Sequence, residues 1–159
     1  MPEVVELYMH LNWVLAIEDN PSDAILLQYA LEGAISPLQL KCVKDGEEAI
    51  NLLSDLTADH KPLPDVILVD LNLPRLDGYE VLSRLRANDD YRHVALLVLT
   101  SSGSAAERQR ALSQGADGFF TKPFDLDAYR CLPRIIGETC QARDQRLQSA
   151  AAAALHGSP

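Results

Sequence analysis

The sequence predicts an α/β fold, a doubly wound parallel sheet of five strands with helices on both faces. Five short apolar runs alternate with longer stretches that carry helix start signals, and three of these runs are solidly apolar. A solid apolar run is typical of a strand buried on both faces, and regular alternation with helices is typical of parallel βαβ units. The runs are WVLAI (13–17), LQLKCV (38–43), DVILV (65–69), VALLVL (94–99) and GFFT (118–121).

The stretches between these runs begin at residues that commonly cap helix N-termini. Each capping side chain can accept a hydrogen bond from a backbone N–H of the first turn. Pro21 occupies the first position of the first helix, where its missing N–H costs nothing, and Gly115 suits a helix C-terminus. The predicted caps are Asn20, Asp45, Asp77, Ser104 and Asp125.

The chain divides into a lead segment at 1–12, a domain at 13–138 and an Ala-rich extension at 139–159, partly helical or frayed. Within the domain, we expect residues 56–64 to form a long exposed loop. Pro133 lacks an N–H, so we expect a kink or break in the last helix there. A loose 4-3 spacing beyond it could be a helix that packs on a partner or merely a frayed end. The spaced residues are Ile136, Cys140, Leu147, Ala150 and Ala154.

The overall charge argues against binding to nucleic acid. The chain carries 14 basic and 23 acidic residues, a net charge of −9, and no cluster of Lys or Arg with aromatic residues between them. Such an acidic surface repels phosphate backbones. No apolar run approaches the ~20 residues that span a bilayer. The N-terminus resembles neither a signal nor a transit peptide, so we expect a cytoplasmic protein.

Polar residues follow four of the predicted strands, at the edge where parallel α/β sheets place their functional crevice. Glu18 and Asp19 follow the first strand, Asp70 the third, Thr100 the fourth and Lys122 the fifth. In the strand order 2-1-3-4-5, the first and third strands are neighbours. The three carboxylates should therefore converge.

Three converging carboxylates repel one another, and without a cation at least one should have a raised pKa. A hard divalent cation with oxygen ligands resolves this repulsion, and Mg²⁺ is the ion we expect. Lys122 and the Thr100 hydroxyl suit phosphoryl oxygens, while Asp70 can act as the nucleophile. The set predicts a phosphoryl-transfer site.

In these motifs the sequence resembles the bacterial response-regulator receiver domains of two-component signalling. The resemblance covers about residues 13–138 and rests on Glu18-Asp19, VDLNLPRLDG around Asp70, LTSS at Thr100 and FFTKPF at Lys122. It implies a flavodoxin-like (βα)5 fold in which Asp70 is the phosphoacceptor.

The resemblance also implies roles for the remaining residues. Mg²⁺ would be bound by Asp19, Asp70 and the backbone carbonyl of Asn72, with help from Glu18. Thr100 and Lys122 would contact the phosphoryl group. Phe119, three residues before the lysine, would be the aromatic switch residue, although it lacks the hydroxyl of the tyrosine that many relatives carry.

Three features look more like the small regulators paired with phytochrome histidine kinases. They are the segment IEDNPSDAILLQYAL, the long loop before Asp65 and the LTSSG run. We therefore expect a single-domain phosphoprotein, not an enzyme acting on other substrates, that catalyses its own Mg²⁺-dependent phosphoryl transfer and dephosphorylation. The expected partners are a sensor histidine kinase, a second copy in a homodimer, and an effector or phosphotransfer protein. Two alternatives stay open: a phosphate sink or phosphorelay shuttle, and a phosphorylation-independent docking or dimerisation module.

Overall fold

The computed structural model describes residues 11–32 and 38–157, and its five parallel strands stand in the predicted order β2-β1-β3-β4-β5. Each strand is joined to the next by at least one helix, which gives the doubly wound topology. The strands are β1 (Trp13–Ile17), β2 (Gln39–Val43), β3 (Val66–Asp70), β4 (Ala95–Thr100) and β5 (Gly118–Thr121). The α-helices are α1 (Pro21–Glu32), α2 (Gly46–Ala58), α3 (Gly78–Ala87), α4 (Ala105–Ser113) and α5 (Leu132–His156). Short 3-10 helices lie at Asp89–Tyr91 and Leu126–Cys131.

Two apolar cores sandwich the sheet, because successive side chains of a strand point to opposite faces. In β3, Ile67 and Val69 face helices α2, α3 and α4, whereas Val66 and Leu68 face α1 and α5. All five residues of β3 are buried, as are all six of β4. The solid apolar runs are thus strands covered on both sides, as predicted.

All five predicted capping side chains are confirmed, whereas α5 begins without a side-chain cap. The side chains of Asp45, Asp77 and Ser104 each accept a hydrogen bond from the N–H three residues later. Asn20 accepts from the N–H of Ser22 at 2.9 Å. Asp125 also caps, but the segment that follows it is a 3-10 helix. Gly115, expected at a helix end, follows α4 with a φ of 100°, a value that glycine adopts without strain.

Several predicted boundaries shift by a few residues. Asp70 and Thr100 are the last residues of their strands rather than the first residues after them. The loop expected at 56–64 is shorter, since α2 continues to Ala58. Of the predicted lead segment, residues 1–10 lie outside the described residues.

The sequence predicts a kink or break in the last helix at Pro133, and the structure has a change from a 3-10 helix to an α-helix just before it. A 3-10 helix ends at Cys131, and Pro133 lies in the first turn of α5, where no intrahelical partner for its nitrogen is needed. From there one helix of 25 residues continues across 138 and 139 to His156, so that the division proposed there falls within a helix. Ile136 and Cys140 of the 4-3 pattern are buried, Leu147 is half-buried, and the alanines are exposed. Within residues 11–32 and 38–157, no helix has the length and apolarity that a bilayer crossing requires.

A partly buried ion cluster attaches the middle of α5 to the amino end of β5. The Asp117 carboxylate accepts from Arg86 of α3 and, at 3.0 Å, from the Nε of Arg146 of α5. It also accepts at 2.9 Å from the backbone N–H of Leu96 at the start of β4. We call Asp117, Arg86 and Arg146 the Asp117 cluster. It shows that α5 packs on the domain beyond residue 138.

Candidate functional site

The three predicted carboxylates meet at the carboxyl edge of the sheet. Ile17 of β1 pairs with Val69 of β3, so the residues after β1 lie beside the end of β3. One carboxylate oxygen from each of Glu18, Asp19 and Asp70 lies within 4.8 Å of the others. The predicted convergence is confirmed by this geometry.

Lys122 reaches these carboxylates from the end of β5. Its Nζ donates to Glu18 Oε2 at 2.6 Å, to Asp23 Oδ2 at 2.9 Å and to Asp70 Oδ2 at 3.0 Å. Three contacts use all three hydrogens of an ammonium group. We call Lys122 with Glu18, Asp23 and Asp70 the Lys122 cluster.

Asp23 is the member of the Lys122 cluster that the sequence interpretation missed. It lies in the first turn of α1, where an acidic residue is ordinarily explained by the helix dipole. The available signal was its position, two residues after Pro21 in the first turn of the helix that follows the acidic pair, and hence at the same edge of the sheet.

The two buried carboxylates use both of their oxygens. Asp70 is 4% exposed, and its second oxygen, Oδ1, accepts from the backbone N–H of Asn72 at 3.0 Å. Glu18 is 3% exposed, and its Oε1 accepts from the N–H of Asn20 at 3.1 Å. Burial with hydrogen bonds on both oxygens fixes the orientation of each carboxylate.

Two groups of the site, Glu18 and Lys122, have displaced pKa values. Burial raises the pKa of Glu18 to about 7, the hydrogen bond from Lys122 opposes the rise, and the charge of Asp70 adds to it. Burial alone would lower the pKa of Lys122, but its hydrogen bonds to Glu18, Asp23 and Asp70 outweigh burial and raise the pKa. The prediction of one carboxyl group with a raised pKa is confirmed, with burial as its main cause.

The donor set of this edge fits a hard divalent cation. Glu18, Asp19 and Asp70 offer only oxygen ligands, and their spacing allows one ion to contact all three. Asp19 is exposed, so that solvent reaches the group. Asn72, whose backbone carbonyl was the predicted fourth ligand, lies two residues after Asp70 with its side chain exposed.

Thr100 and Phe119 lie on the two strands β4 and β5, which follow β3 in the sheet. Thr100 ends β4, the strand next to β3, and its fully buried side chain accepts from the N–H of Ser102 at 3.2 Å. Phe119 is half-buried in β5, packs on the α2–α4 face, and has the guanidinium carbon of Arg108 6.0 Å from its ring centre. The structure thus groups Glu18, Asp19, Asp70 and Lys122 directly, whereas Phe119 packs in the apolar core rather than among the charged groups.

A sequence model of one known family matches most of the described chain. The family is the response regulator receiver domain, and the match covers residues 14–131. The fold, the strand order and the acidic edge agree with this match. The chain belongs to the response regulator receiver domain family, the class of domain that serves two-component signalling.

Individual relatives support the same membership. The chain is 32% identical over 114 residues to the probable methanogenesis regulatory protein FilR2 of Methanothrix harundinacea, covering 72% of this chain and 74% of the relative. Seven further relatives, transcriptional regulators among them, are 31% to 36% identical, and the chain covers only 39% to 45% of their length.

Solved structures of response regulators are similar to most of the chain, and two of them illustrate this similarity. One is a phosphorylated cyanobacterial phytochrome response regulator, RcpA, with a TM-score of 0.73, 28% identity, and coverage of 82% of this chain and 94% of that one. The other is the Mn²⁺-bound form of the response regulator Rcp1, with a TM-score of 0.69, 28% identity, and coverage of 77% and 89%.

Proposed function

We propose that this receiver domain accepts a phosphoryl group on Asp70 from the phosphohistidine of a sensor histidine kinase. The observation that carries the proposal is the position of Asp70: a buried carboxylate at a strand end, 3.0 Å from the Lys122 ammonium and grouped with two further carboxylates. A single buried aspartate would be a structural residue. An oriented nucleophile beside a cationic group and an acidic ligand set supports a phosphoryl-transfer site.

In the proposed step, a carboxylate oxygen of Asp70 attacks the phosphorus of the phosphohistidine. A new O–P bond forms as the N–P bond breaks, and the electron pair of that bond leaves with the imidazole. Asp70 needs no general base, because a carboxylate nucleophile carries no proton to remove. The Lys122 ammonium and the Thr100 hydroxyl stabilise the charge on the phosphoryl oxygens.

Glu18, Asp19, Asp70 and the carbonyl of Asn72 would hold Mg²⁺, which when bound supplies positive charge beside the phosphoryl oxygens. The carboxylate spacing supports this assignment. The solved Mn²⁺-bound form of the similar regulator Rcp1 also supports it.

The signal would pass to a partner through a local change of shape. Phosphorylation would draw Thr100 toward the new charge and leave space for the Phe119 ring, which alters the face formed by α4, β5 and α5. The candidate partners are a second copy of the chain and an effector or phosphotransfer protein. A kinase of the phytochrome type is proposed because RcpA is a phytochrome response regulator. The cytoplasmic location stays a prediction.

The test is labelling of the purified protein by acetyl phosphate, with and without Mg²⁺, followed by intact mass and size-exclusion chromatography. We expect one adduct of about 80 Da, the mass of one phosphoryl group, in the wild type with Mg²⁺ and none in Asp70→Asn. Asp144→Asn, which changes an exposed carboxylate on α5, is the matched control and should label like the wild type.

The outcomes separate the proposal from its alternatives. An adduct together with a change in elution volume would identify dimerisation as the response. A phosphate lost quickly from Asp70, without any change in assembly, favours a phosphate sink or shuttle. If the wild type binds Mg²⁺ but forms no adduct, the proposal fails and a phosphorylation-independent docking module takes its place.

A further inference from the structure

Lys122 contacts three carboxylates, and these three differ in what else they do. Glu18 and Asp70 also belong to the group of oxygens that could hold a cation, whereas Asp23 is not part of that group. The Asp23 side chain is 25% exposed, compared with 0% for Glu18 and 6% for Asp70. Asp23 thus stands at the mouth of the site, with Lys122 between it and the buried carboxylates.

A cation and the Lys122 ammonium compete for the same two side chains. Nζ lies 2.6 Å from Glu18 and 3.0 Å from Asp70, and two positive charges cannot share these carboxylates at full strength. A bound cation would therefore weaken the contacts of the ammonium with Glu18 and Asp70. The remaining partner of the ammonium is Asp23, already at 2.9 Å.

The position of Asp23 is fixed by local structure. It lies in the first turn of α1, whose start is held by Pro21 and by the Asn20 side chain, which accepts from the N–H groups of Ser22 and Asp23. The backbone that carries this carboxylate is already ordered by the helix, so pairing costs less conformational freedom than it would on a loop, and Asp23 can hold the ammonium in one place.

We infer that Asp23 is a positioning residue: it holds the Lys122 ammonium when a divalent cation occupies Glu18, Asp19 and Asp70. By accepting the ammonium, Asp23 reduces its competition with the cation. It also keeps Nζ beside Asp70, where a phosphoryl oxygen would arrive. This inference rests on the cation site of the proposed function and deepens it.

The test is a double-mutant cycle with Mg²⁺ binding as the readout, measured by titration calorimetry on the full chain. Asp23→Asn is made both in the wild type and in Lys122→Met, which keeps the length of the side chain without its charge. If Asp23 acts through Lys122, Asp23→Asn weakens Mg²⁺ binding about fivefold more in the wild type than in Lys122→Met. A factor of about five corresponds to the loss of one modest hydrogen bond to a charged group. Asp23→Glu restores part of the affinity.

A second readout reports on the lysine itself. The NMR signal of the Lys122 side chain, from lysine labelled with ¹³C at Cε, should shift on Mg²⁺ addition, and the shift should differ in Asp23→Asn. Glu32→Gln, at the other end of α1 and hydrogen-bonded to Gln28, is the control for a charge change on the same helix and should leave the Kd unchanged.

The two possible failures are distinguishable. If Asp23→Asn weakens Mg²⁺ binding by the same factor in both backgrounds, Asp23 acts only as a nearby charge and the inference is wrong, while the cation site stands. If the wild type binds no Mg²⁺, the cation site of the proposed function fails, and this inference fails with it.

Discussion

Two ion clusters flank strand β5, and their charge balances are opposite. Lys122, one residue after the strand, faces the carboxylates of Glu18, Asp23 and Asp70. Asp117, one residue before the strand, lies between the guanidinium groups of Arg86 and Arg146. A strand of four residues therefore separates an acidic cluster with one cation from a basic cluster with one anion.

The Asp117 cluster is fully satisfied by the protein itself. Arg86 donates to the backbone carbonyls of Gly115 at 2.8 Å and Val94 at 3.0 Å, besides its contact with Asp117. Arg146 donates to the carbonyl of Arg92 at 2.9 Å. Every member joins segments that are distant in sequence, so the cluster fixes how α3, α5 and the sheet pack together.

In the part of the chain that the structure describes, the Lys122 cluster has more carboxylates than cations. With Asp19 beside it, one ammonium faces four carboxylates, and the pKa of Glu18 is raised to about 7 as a result of burial and of this crowding. A protein gains no stability from such an arrangement, which is typical of sites that bind a further charged group. The difference between the clusters distinguishes a structural ion network from a functional one.

The largest effect is expected from Asp117→Asn. Its side chain is 3% exposed, and the change leaves two guanidinium groups beside a neutral amide. Breaking a buried ion pair by removing one partner is strongly destabilising, so we expect the free energy of unfolding to fall by about 3 kcal/mol. Urea unfolding followed by circular dichroism measures the change.

The matched control for this prediction is Asp144→Asn, which removes an exposed partner of Arg143 on the same helix α5. Exposed pairs contribute little, and the expected change is below about 0.5 kcal/mol. An equal loss in the two variants would show that Asp117 is no more important than a surface charge.

The next prediction concerns how the free energy of unfolding of the metal-free protein depends on pH. An ordinary glutamate has a pKa of 4.5, but folded Glu18 keeps its proton until about pH 7. Between these values the folded state binds more protons than the unfolded state, so stability from this group is present at low pH and is lost as the pH rises. Relative to Glu18→Gln, the wild type should lose on the order of 2 kcal/mol from pH 4.5 to 7.

The measurement is a series of urea unfolding curves for the two proteins in chelator-containing buffers. The difference between wild type and Glu18→Gln is the quantity to follow, because it cancels the titration of groups that the two proteins share. A difference that is constant across this range would show that the pKa of Glu18 is not raised.

The sequence predicted the fold well because the fold depends on local patterns. Solid apolar runs marked β3 and β4, and capping residues such as Asp45 and Asp77 marked the helix starts. The site residues at strand ends followed from topology, since parallel strands bring their carboxyl ends to one edge. These signals need no knowledge of side-chain contacts.

The contacts of charged side chains across the fold were beyond the sequence patterns. Lys122 and Asp23 are 99 residues apart, and Arg146 and Asp117 are 29 apart on different elements. The residues around Asp23 and Asp117 in the sequence do not reveal these contacts, because only the packing of α1 and α5 against the sheet decides which partners the two acids meet. The same limitation applies to Arg146, because its sequence neighbours do not indicate that it pairs with Asp117 and fixes α5.

The smallest expected change in the free energy of unfolding is that of Asp70→Asn, and its sign is opposite to that of Asp117→Asn. Asp70→Asn removes one of the crowded carboxylates, while an amide oxygen can still accept from the N–H of Asn72. Less repulsion remains in the folded state, so we expect the metal-free variant to be more stable than the wild type by about 1 kcal/mol. An aspartate-to-asparagine change is thus expected to destabilise the protein in the Asp117 cluster and to stabilise it in the Lys122 cluster.

Thermal unfolding in chelator measures the stability of the metal-free proteins, and thermal unfolding in Mg²⁺ measures how much the cation adds. A cation that binds only the folded state should stabilise the wild type by about 1.4 kcal/mol at ten times its Kd. Asp70→Asn, with one ligand fewer, should gain less at the same concentration. If Asp70→Asn is destabilised in chelator as Asp117→Asn is, then the Lys122 cluster is a balanced structural network, and the contrast between the two ends of β5 is wrong.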